Sequence, residues 1–305
     1  MRFIAEIPSR SVLQINGVDA APFLQGLLSN DVTAATAAQG VYAAFLSPQG
    51  KYQHDLFILG ADGGFLADVE SARRADLLKK LHIYKLRSAV DIADLGQEYK
   101  IYALWGAGEN PSDNNVKIYP DPRLPQAGWR IIAGVNIAID TLAQKFSAQI
   151  ADFAAYDYHR AQLGLPDGSR DMMVDRGILL ENGFDELRGI SWDKGCYLGQ
   201  ELTARTRYRG LVRKRLVPCV LESEQAQPIA ANSVVTLRYQ RDALEAGETH
   251  SFVAGGNGNP AIVMVLLRLE ALTKQQAGHG ALYCGEQRII PRIPGWMELP
   301  KIDAA

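Results

Sequence analysis

Cysteine and histidine are scarce in this 305-residue sequence, with three and five copies. Cys196, Cys219 and Cys284 are odd in number and far apart, which argues against a disulfide framework and fits a reducing compartment. His54, His82, His159, His250 and His279 stand without a His or Cys partner at ligand spacing, so no structural zinc site and no stably bound metal is expected. Neither charge sign dominates. The formal net charge of −2 excludes a global field that would recruit nucleic acid or an anionic membrane, so an anion site must come from a local cluster. Long apolar runs are also missing. The stretch 261–267 has the length of a core strand, and Met1-Arg2-Phe3-Ile4-Ala5-Glu6 leads straight into strand-like alternation, with no Arg-rich presequence. The expectation is a cytoplasmic protein without a membrane partner.

What is present is an ordinary globular composition, 47% hydrophobic, in a chain long enough for two or three domains. Residues 11–16 alternate as a strand. Asp19 is placed to cap a helix with Pro22 in its first turn and Phe23, Leu24, Leu27 and Leu28 on one face. Strands are expected near 40–46 and 52–59, joined by Ser47-Pro48-Gln49-Gly50 with type I turn chemistry. A helix capped by Ser71 follows, then strand-like runs near 88–93, 99–105 and 129–134, with 107–128 read as a long surface loop. Asp152 is placed to cap a helix that runs to Leu163 and ends at Gly164. After Arg215, short β-rich runs at 215–221, 233–239, 261–269 and 288–293 suggest a small barrel or sandwich, with 241–260 as a mobile loop. The interleaving of strands, hairpins and helices predicts an α+β fold.

The most informative string is Lys194-Gly195-Cys196-Tyr197-Leu198-Gly199-Gln200-Glu201, followed by Arg205, Arg207, Arg209, Arg213, Lys214 and Arg215. Two readings of Cys196 are open from residue type: a small core hydrophobe, or a thiol whose thiolate is favoured by nearby cations. Arg205, Arg207 and Arg209 are spaced by two, so on a strand they would share one face.

The pattern K-G-C-Y-x-G-Q-E resembles the signature of the YgfZ family of folate-binding proteins, which includes mitochondrial iron–sulfur assembly factors and is related to the glycine-cleavage aminomethyltransferases (T-protein, GcvT). All seven fixed positions are present: Lys194, Gly195, Cys196, Tyr197, Gly199, Gln200 and Glu201. A second stretch, Phe23-Leu24-Gln25-Gly26-Leu27-Leu28-Ser29-Asn30-Asp31-Val32, is similar to the family's first helix and its N-D-V turn. The resemblance implies a GcvT/YgfZ-like three-lobed folate-binding fold. Residues 1–214 would form the folate-binding region, two intertwined α+β lobes with the second at roughly 45–140, and residues 215–305 a C-terminal β-barrel. Asp55 falls where aminomethyltransferases carry a catalytic aspartate, although Lys51 and His54 depart from their pattern. On a regular strand His54 and Asp55 point to opposite faces. Gln162 falls where those enzymes use a pterin-binding glutamate; an amide accepts hydrogen bonds there but also presents donors. Glu181 resembles the family's P-x-E turn without its proline.

The implied ligand is tetrahydrofolate or a one-carbon derivative. Asp55, Gln162 and Lys194 would contact it, and Arg205, Arg207 and Arg209 would hold its anionic glutamate tail. Cys196 and Asp55 are the candidate catalytic residues. A cluster held by Cys196 alone would be incomplete, so contact with iron–sulfur assembly proteins or client 4Fe–4S enzymes would be transient or shared. Nucleic acid is disfavoured, since three arginines with no stacking platform give only weak, salt-sensitive binding. The leading expectation is a folate-binding factor for assembly or repair of 4Fe–4S enzymes. An aminomethyltransferase and a non-catalytic folate-binding scaffold are the alternatives, which leaves open whether the chain turns over a substrate.

Overall fold

The computed structural model describes residues 1–223, 226–256 and 258–300. It divides into two compact units: Met1–Tyr156 with Leu187–Gln200, and Asp157–Glu186 with Glu201–Ala305. Residues 157–186 and 201–214, expected with the N-terminal region, thus cluster with the barrel.

The first unit contains two five-stranded sheets. Strand β1 (Arg2–Glu6) belongs to one of them and β2 (Arg10–Asn16) to the other. After helix α1 (Ala20–Gln25), strands β3 (Val41–Leu46), β4 (Tyr52–Ala61) and β5 (Gly64–Glu70) form an antiparallel meander; α2 (Arg74–Lys85) and β6 (Asp91–Asp94) complete this half. The sheet order is β3-β4-β5-β2-β6. The Ser47–Gly50 turn closes as its residues demand, with Gly50 N donating to Ser47 O at 2.8 Å. Phe23, Leu24, Leu27 and Leu28 of the α1 region and Leu77 and Leu81 of α2 bury against Leu13, Ile15, Phe45, Leu56 and Ile58. Full burial of such side chains contributes about 1.5–3 kcal/mol each, so this is the main hydrophobic anchor of the first sheet.

The other sheet collects β7 (Tyr99–Gly106), β8 (Lys117–Pro120), β9 (Trp129–Gly134) and, after α3 (Ile139–Lys145), β10 (Gln149–Ile150), in the order β10-β1-β7-β9-β8. Strand β8 lies inside the expected 107–128 loop. Its four residues are flanked by Asn, Asp and Pro, which hid the pairing of Lys117–Pro120 with β9.

Helices α4 (Phe153–Gln162) and α5 (Gly168–Asp171) precede α6 (Gln200–Tyr208). The barrel closes in the order β11-β14-β13-β12-β15-β16, from β11 (Lys214–Leu221), β12 (Val234–Tyr239), β13 (Asp242–Val253), β14 (Ile262–Arg268), β15 (Ala281–Cys284) and β16 (Gln287–Pro291), with α7 (Leu269–Gln276) after β14. Its interior is Val217, Cys219, Val235, Leu237, Val263, Val265, Leu267, Leu282 and Ile289. Most of the expected 241–260 loop is the twelve-residue strand β13, held between β12 and β14; Asn257 of that loop lies outside the described residues. Among the described residues, no helix is long and apolar enough to cross a membrane.

Candidate functional site

Helix α1 ends at Gly26, and the chain turns through Ser29, Asn30 and Asp31. Asp31 Oδ1 accepts from Thr33 N at 3.0 Å, Thr33 Oγ1 at 2.6 Å and Gln25 Nε2 at 2.8 Å. The Thr33 bonds, aided by Gln25 and Lys194 and opposed by burial, hold this carboxyl below its usual range. Onto this turn the 188–199 segment is fastened. Lys194 Nζ donates to Gln25 O (2.9 Å), Gln25 Oε1 (3.1 Å), Leu28 O (2.7 Å) and Asn30 O (2.8 Å). A lysine ammonium at the carboxyl end of a helix meets both the unsatisfied carbonyls and the negative end of the dipole. Burial draws Lys194 down to about 8, with Asp31 opposing, so it keeps its proton at neutral pH.

Further bonds repeat the attachment. Leu198 N donates to Gly26 O at 3.0 Å, and Ser191 N to Ser29 O at 3.1 Å. Ser29 Oγ donates to Gly189 O, and Asn30 Nδ2 to Arg188 O, each at 2.6 Å. Gln200 Oε1 accepts from Tyr197 N at 3.0 Å, and the buried Tyr197 ring lies 5.3 Å from Lys194 Nζ. Gly199 has φ +78°, and a Cβ there would collide with Ser47 O and lie 2.9 Å from Gly50 Cα. Gly195 shows no such crowding. Lys194, Tyr197, Gly199 and Gln200 thus fix the loop from below, while Cys196 is exposed at its crest. Glu201 is exposed and paired with Arg205. Cys219 and Cys284 are buried in the barrel, where burial pushes both thiols up, so Cys196 is the one exposed thiol of the three.

Lys194, expected at the ligand, has its ammonium bonded to Gln25 at the end of α1 and to the Leu28 and Asn30 carbonyls after it, so it takes part in the loop's attachment. Arg205 and Arg207 lie on helix α6, not a strand, with Arg209 just beyond it. At 3.6 residues per turn Arg207 diverges from the other two, while Arg205 and Arg209, four apart and joined by the Arg209 N to Arg205 O bond at 3.1 Å, lie on one side. Arg205 pairs with Glu201, and Arg207 with Asp185 at 3.5 Å. Gln162 is the last residue of α4 and exposed, its side chain bonded to the Tyr158 hydroxyl. Glu181 sits in the 3-10 turn Leu179–Asn182.

Asp55 is 2% exposed and lies at the end of a buried ionic chain. Arg10 Nη1 donates to Asp55 Oδ1 at 3.1 Å, and Arg10 Nε to Asp68 Oδ1 at 2.7 Å. Arg130 Nε donates to Asp68 Oδ2 at 2.8 Å; Arg130 also faces Asp121 at 3.7 Å, and Asp121 is bound by Arg123 at 2.8 Å. The guanidinium carbons of Arg130, Arg123 and Arg10 lie 3.9, 4.8 and 5.2 Å from the Phe57 ring centre, within cation–π range. Burial opposes the Arg10 charge, yet Asp55 and Asp68 outweigh it and hold it above its ordinary value. A β-bulge at Gln53 brings Tyr52 to the Asp55 face, where its hydroxyl donates to Oδ1 at 3.3 Å. His54 points the other way, toward Asp76 at 3.0 Å, and burial lowers it to about 3. Arg10, Asp68, Arg123 and Arg130 carried no signal in the sequence beyond isolated charges near strand ends. Gln25, inside the quoted helix motif, was findable.

No family model matches the chain. It is 31% identical over 271 residues to the mitochondrial iron–sulfur cluster assembly factor IBA57 of Mus musculus, covering 80% of this chain and 74% of the relative. It is 35% identical over 244 residues to the mitochondrial IBA57 homologue of Neurospora crassa, covering 74% of this chain but 55% of the relative. The chain therefore spans little more than half the length of that fungal protein, and 56% of the homologue from Mycosarcoma maydis, to which it is 37% identical. Among solved structures, the glycine cleavage system aminomethyltransferase T of Bartonella henselae superposes with a TM-score of 0.70 at 16% identity, over 95% of this chain and 84% of that one. The fold is thus the GcvT-like α+β arrangement with a C-terminal barrel, as expected from the sequence. The cytoplasmic expectation is overturned: these relatives are named as mitochondrial, and scarce, unpaired cysteines mark a reducing environment without naming the compartment.

Proposed function

The chain belongs to the IBA57 iron–sulfur cluster assembly factors of the YgfZ family, and from that premise we propose that it serves the assembly or repair of iron–sulfur enzymes by lending the Cys196 thiolate to a cluster in transit. The carrying observation is the division of labour in one loop: Lys194, Tyr197, Gly199 and Gln200 hold it, and Cys196 is left exposed. A soft thiolate is the ligand such clusters require, usually several per cluster. Among the described residues no group of three or more His, Cys, Asp or Glu side chains is arranged to hold a metal, so the remaining ligands would come from a partner protein. The cluster is cargo on this reading.

The aminomethyltransferase alternative is weakened by Asp55. A carboxylate that steers a proton must reach its substrate, whereas Asp55 is buried and bonded to Arg10 and Tyr52. Tetrahydrofolate as a ligand is supported by the relation of the fold to aminomethyltransferases, and the side chains add little to it. Asp55 and Lys194 are committed to internal partners, and the three arginines do not converge. No step is therefore routed through folate.

The test is 4Fe–4S enzyme activity in a host lacking its own homologue, rescued by wild type or Cys196→Ala at matched expression. Rescue by wild type alone is the expected result. Equal rescue by both would remove the thiol from the mechanism, and titration of both proteins with tetrahydrofolate would then be the next comparison.

A further inference from the structure

Helix α2 turns Leu77 and Leu81 into the core of the first unit and then ends in a way that folding does not favour. Its closing residue, Leu86, has φ +46° and ψ −110°, and its side chain is 86% exposed. A helix that closes through a positive φ ordinarily places glycine there, because a Cβ makes that conformation costly. Here a leucine carries the strain and gains no burial from it. Ile83, three residues earlier, is 59% exposed, and Val18 is 88% exposed. Val18 is held at the same turn by its neighbours. Gly17, at φ +120°, packs so closely on the Ala89 carbonyl that a Cβ would collide with it, and Asp19 Oδ2 accepts from Ala89 N at 2.7 Å. The turn is closed by Ser88 N donating to Lys85 O and Val90 N to Ser88 O, each at 2.9 Å. Three large apolar side chains are therefore displayed on fixed backbone.

The flanking charge is of one sign. Lys79, Lys85 and Arg87 form no ion pair among the described residues, and Asp76, the one acidic residue of α2, is shared by Arg73, Lys80 and His54. The helix dipole accounts for cations at Lys85 and Arg87, beside its carboxyl end, but not for Lys79 at mid-helix. We propose that the turn after α2 is a docking surface for a protein with an acidic face. The inference rests on the assembly reading above, in which the chain meets partner proteins, and it sets no condition on where Cys196 stands. Backbone strain persists where function holds it, and exposed apolar side chains rimmed by charge mark interaction sites. Unpaired cations around them suit the carboxylates of a partner and steer its approach, while fixed backbone lowers the ordering cost of association. An anionic membrane fits less well, because an interfacial helix lays its apolar face among the lipids, whereas α2 turns Leu77 and Leu81 into the core. Nucleic acid would use the cations alone and leave Val18, Ile83 and Leu86 without a role.

The experiment uses the full chain with the photo-cross-linker p-benzoylphenylalanine in place of Leu86, in a host lacking its own homologue. The same cross-linker in place of Val135, exposed elsewhere on this unit, is the comparison. The proposal expects an adduct at 86, absent at 135, to one protein of net negative charge, weakened roughly fivefold or more by Lys79→Glu with Arg87→Glu. It also expects Leu86→Gly to rescue 4Fe–4S enzyme activity roughly fivefold or more below wild type, since a leucine buried against a partner is lost. Its thermal midpoint should not fall, because glycine relieves the strain at positive φ. No adduct at 86, an adduct indifferent to charge reversal, or one to nucleic acid or lipid overturns the proposal. If Leu86→Gly rescues fully while Cys196→Ala does not, the docking surface is refuted and the assembly reading survives. If Cys196→Ala rescues fully while Leu86→Gly does not, the role of the thiol falls and the docking surface stands. Should a thermal midpoint fall, Leu86→Asn or Lys79→Gln with Arg87→Gln replaces the variant concerned, with the same expected loss.

Discussion

Breaking the Asp55 end of the buried ionic chain should unfold the protein more readily, not merely silence it. Three arginines and three aspartates balance in this chain, and Asp55, Asp68 and Arg10 have side chains at most 4% exposed. Asp55→Ala leaves Arg10 with Asp68 alone and gives the network a net positive charge. Stranding one member of a buried pair costs about 3–5 kcal/mol. Arg10→Met strands Asp55 in turn, and the same range applies. The double variant Asp55→Ala with Arg10→Met removes one charge of each sign and leaves Asp68 and Asp121 facing Arg130 and Arg123. Its cost should therefore fall short of the sum of the singles by about 2–3 kcal/mol, the coupling expected for residues in one network. Urea unfolding of the four proteins at pH 7 measures this directly, with midpoint shifts converted through a shared m-value. If Asp55→Ala lies within about 1 kcal/mol of wild type and the cycle is additive to about 0.5 kcal/mol, the carboxylate is not held as described. Loss of activity without loss of stability would return it to the transferase reading.

Three further outcomes follow from the same geometry. Lys194→Met removes a charge-assisted donor from the Gln25, Leu28 and Asn30 carbonyls, so it should cost about 2 kcal/mol in urea unfolding and change the alkylation rate of Cys196 in the folded protein; an unchanged alkylation rate would mean the loop is positioned without the lysine. Gly199→Ala places a Cβ against Ser47 O at positive φ, and should lower stability by about 1–3 kcal/mol, whereas Gly195→Ala, with nothing near it, should stay within about 0.5 kcal/mol. His54 is held down to about 3 by burial, so the native state resists the proton that the unfolded chain accepts near 6.5. Stability is then lost as pH falls through 6.5, by about 2 kcal/mol between pH 7 and pH 5, and His54→Asn should abolish that part of the slope; an identical slope in the variant would remove His54 as its source.

How much of this could be read from the sequence depended on whether the cause was local. The apolar face Phe23, Leu24, Leu27 and Leu28, the Ser47–Gly50 turn and the Asp152 cap, whose Oδ1 accepts from Ala155 N at 2.9 Å, are fixed by neighbours in the chain and were legible. Asp19 was expected to cap α1, but its Oδ2 instead accepts from Ala89 N at 2.7 Å, a partner seventy residues away that no pattern reveals. Strand β13 was hidden by Asp242, Glu245, Gly247 and Glu248, residue types depleted in strands that become one here because β12 and β14 flank them. The arginine spacing was read with a period of two, although Gly210 two residues past Tyr208 is a helix-stop signal. The signature itself was legible as a motif but not in its packing, since its lysine binds the end of α1 and the turn after it, more than 160 residues back in the chain.

A superposition at 16% identity preserves the path of the backbone, while function depends on what each side chain at a shared position is doing. At position 55 the carboxylate is paired with Arg10 and stands in a buried chain of three aspartates and three arginines. In the loop after position 193, lysine, tyrosine and glutamine make internal bonds and Gly199 fits against the Ser47–Gly50 turn, while the thiol among them is exposed. Burial of Asp55 and exposure of Cys196 favour the proposed assembly role over turnover of a small substrate. The most economical way to contradict that inference is a variant in which the thiol is lost and iron–sulfur enzyme activity is kept.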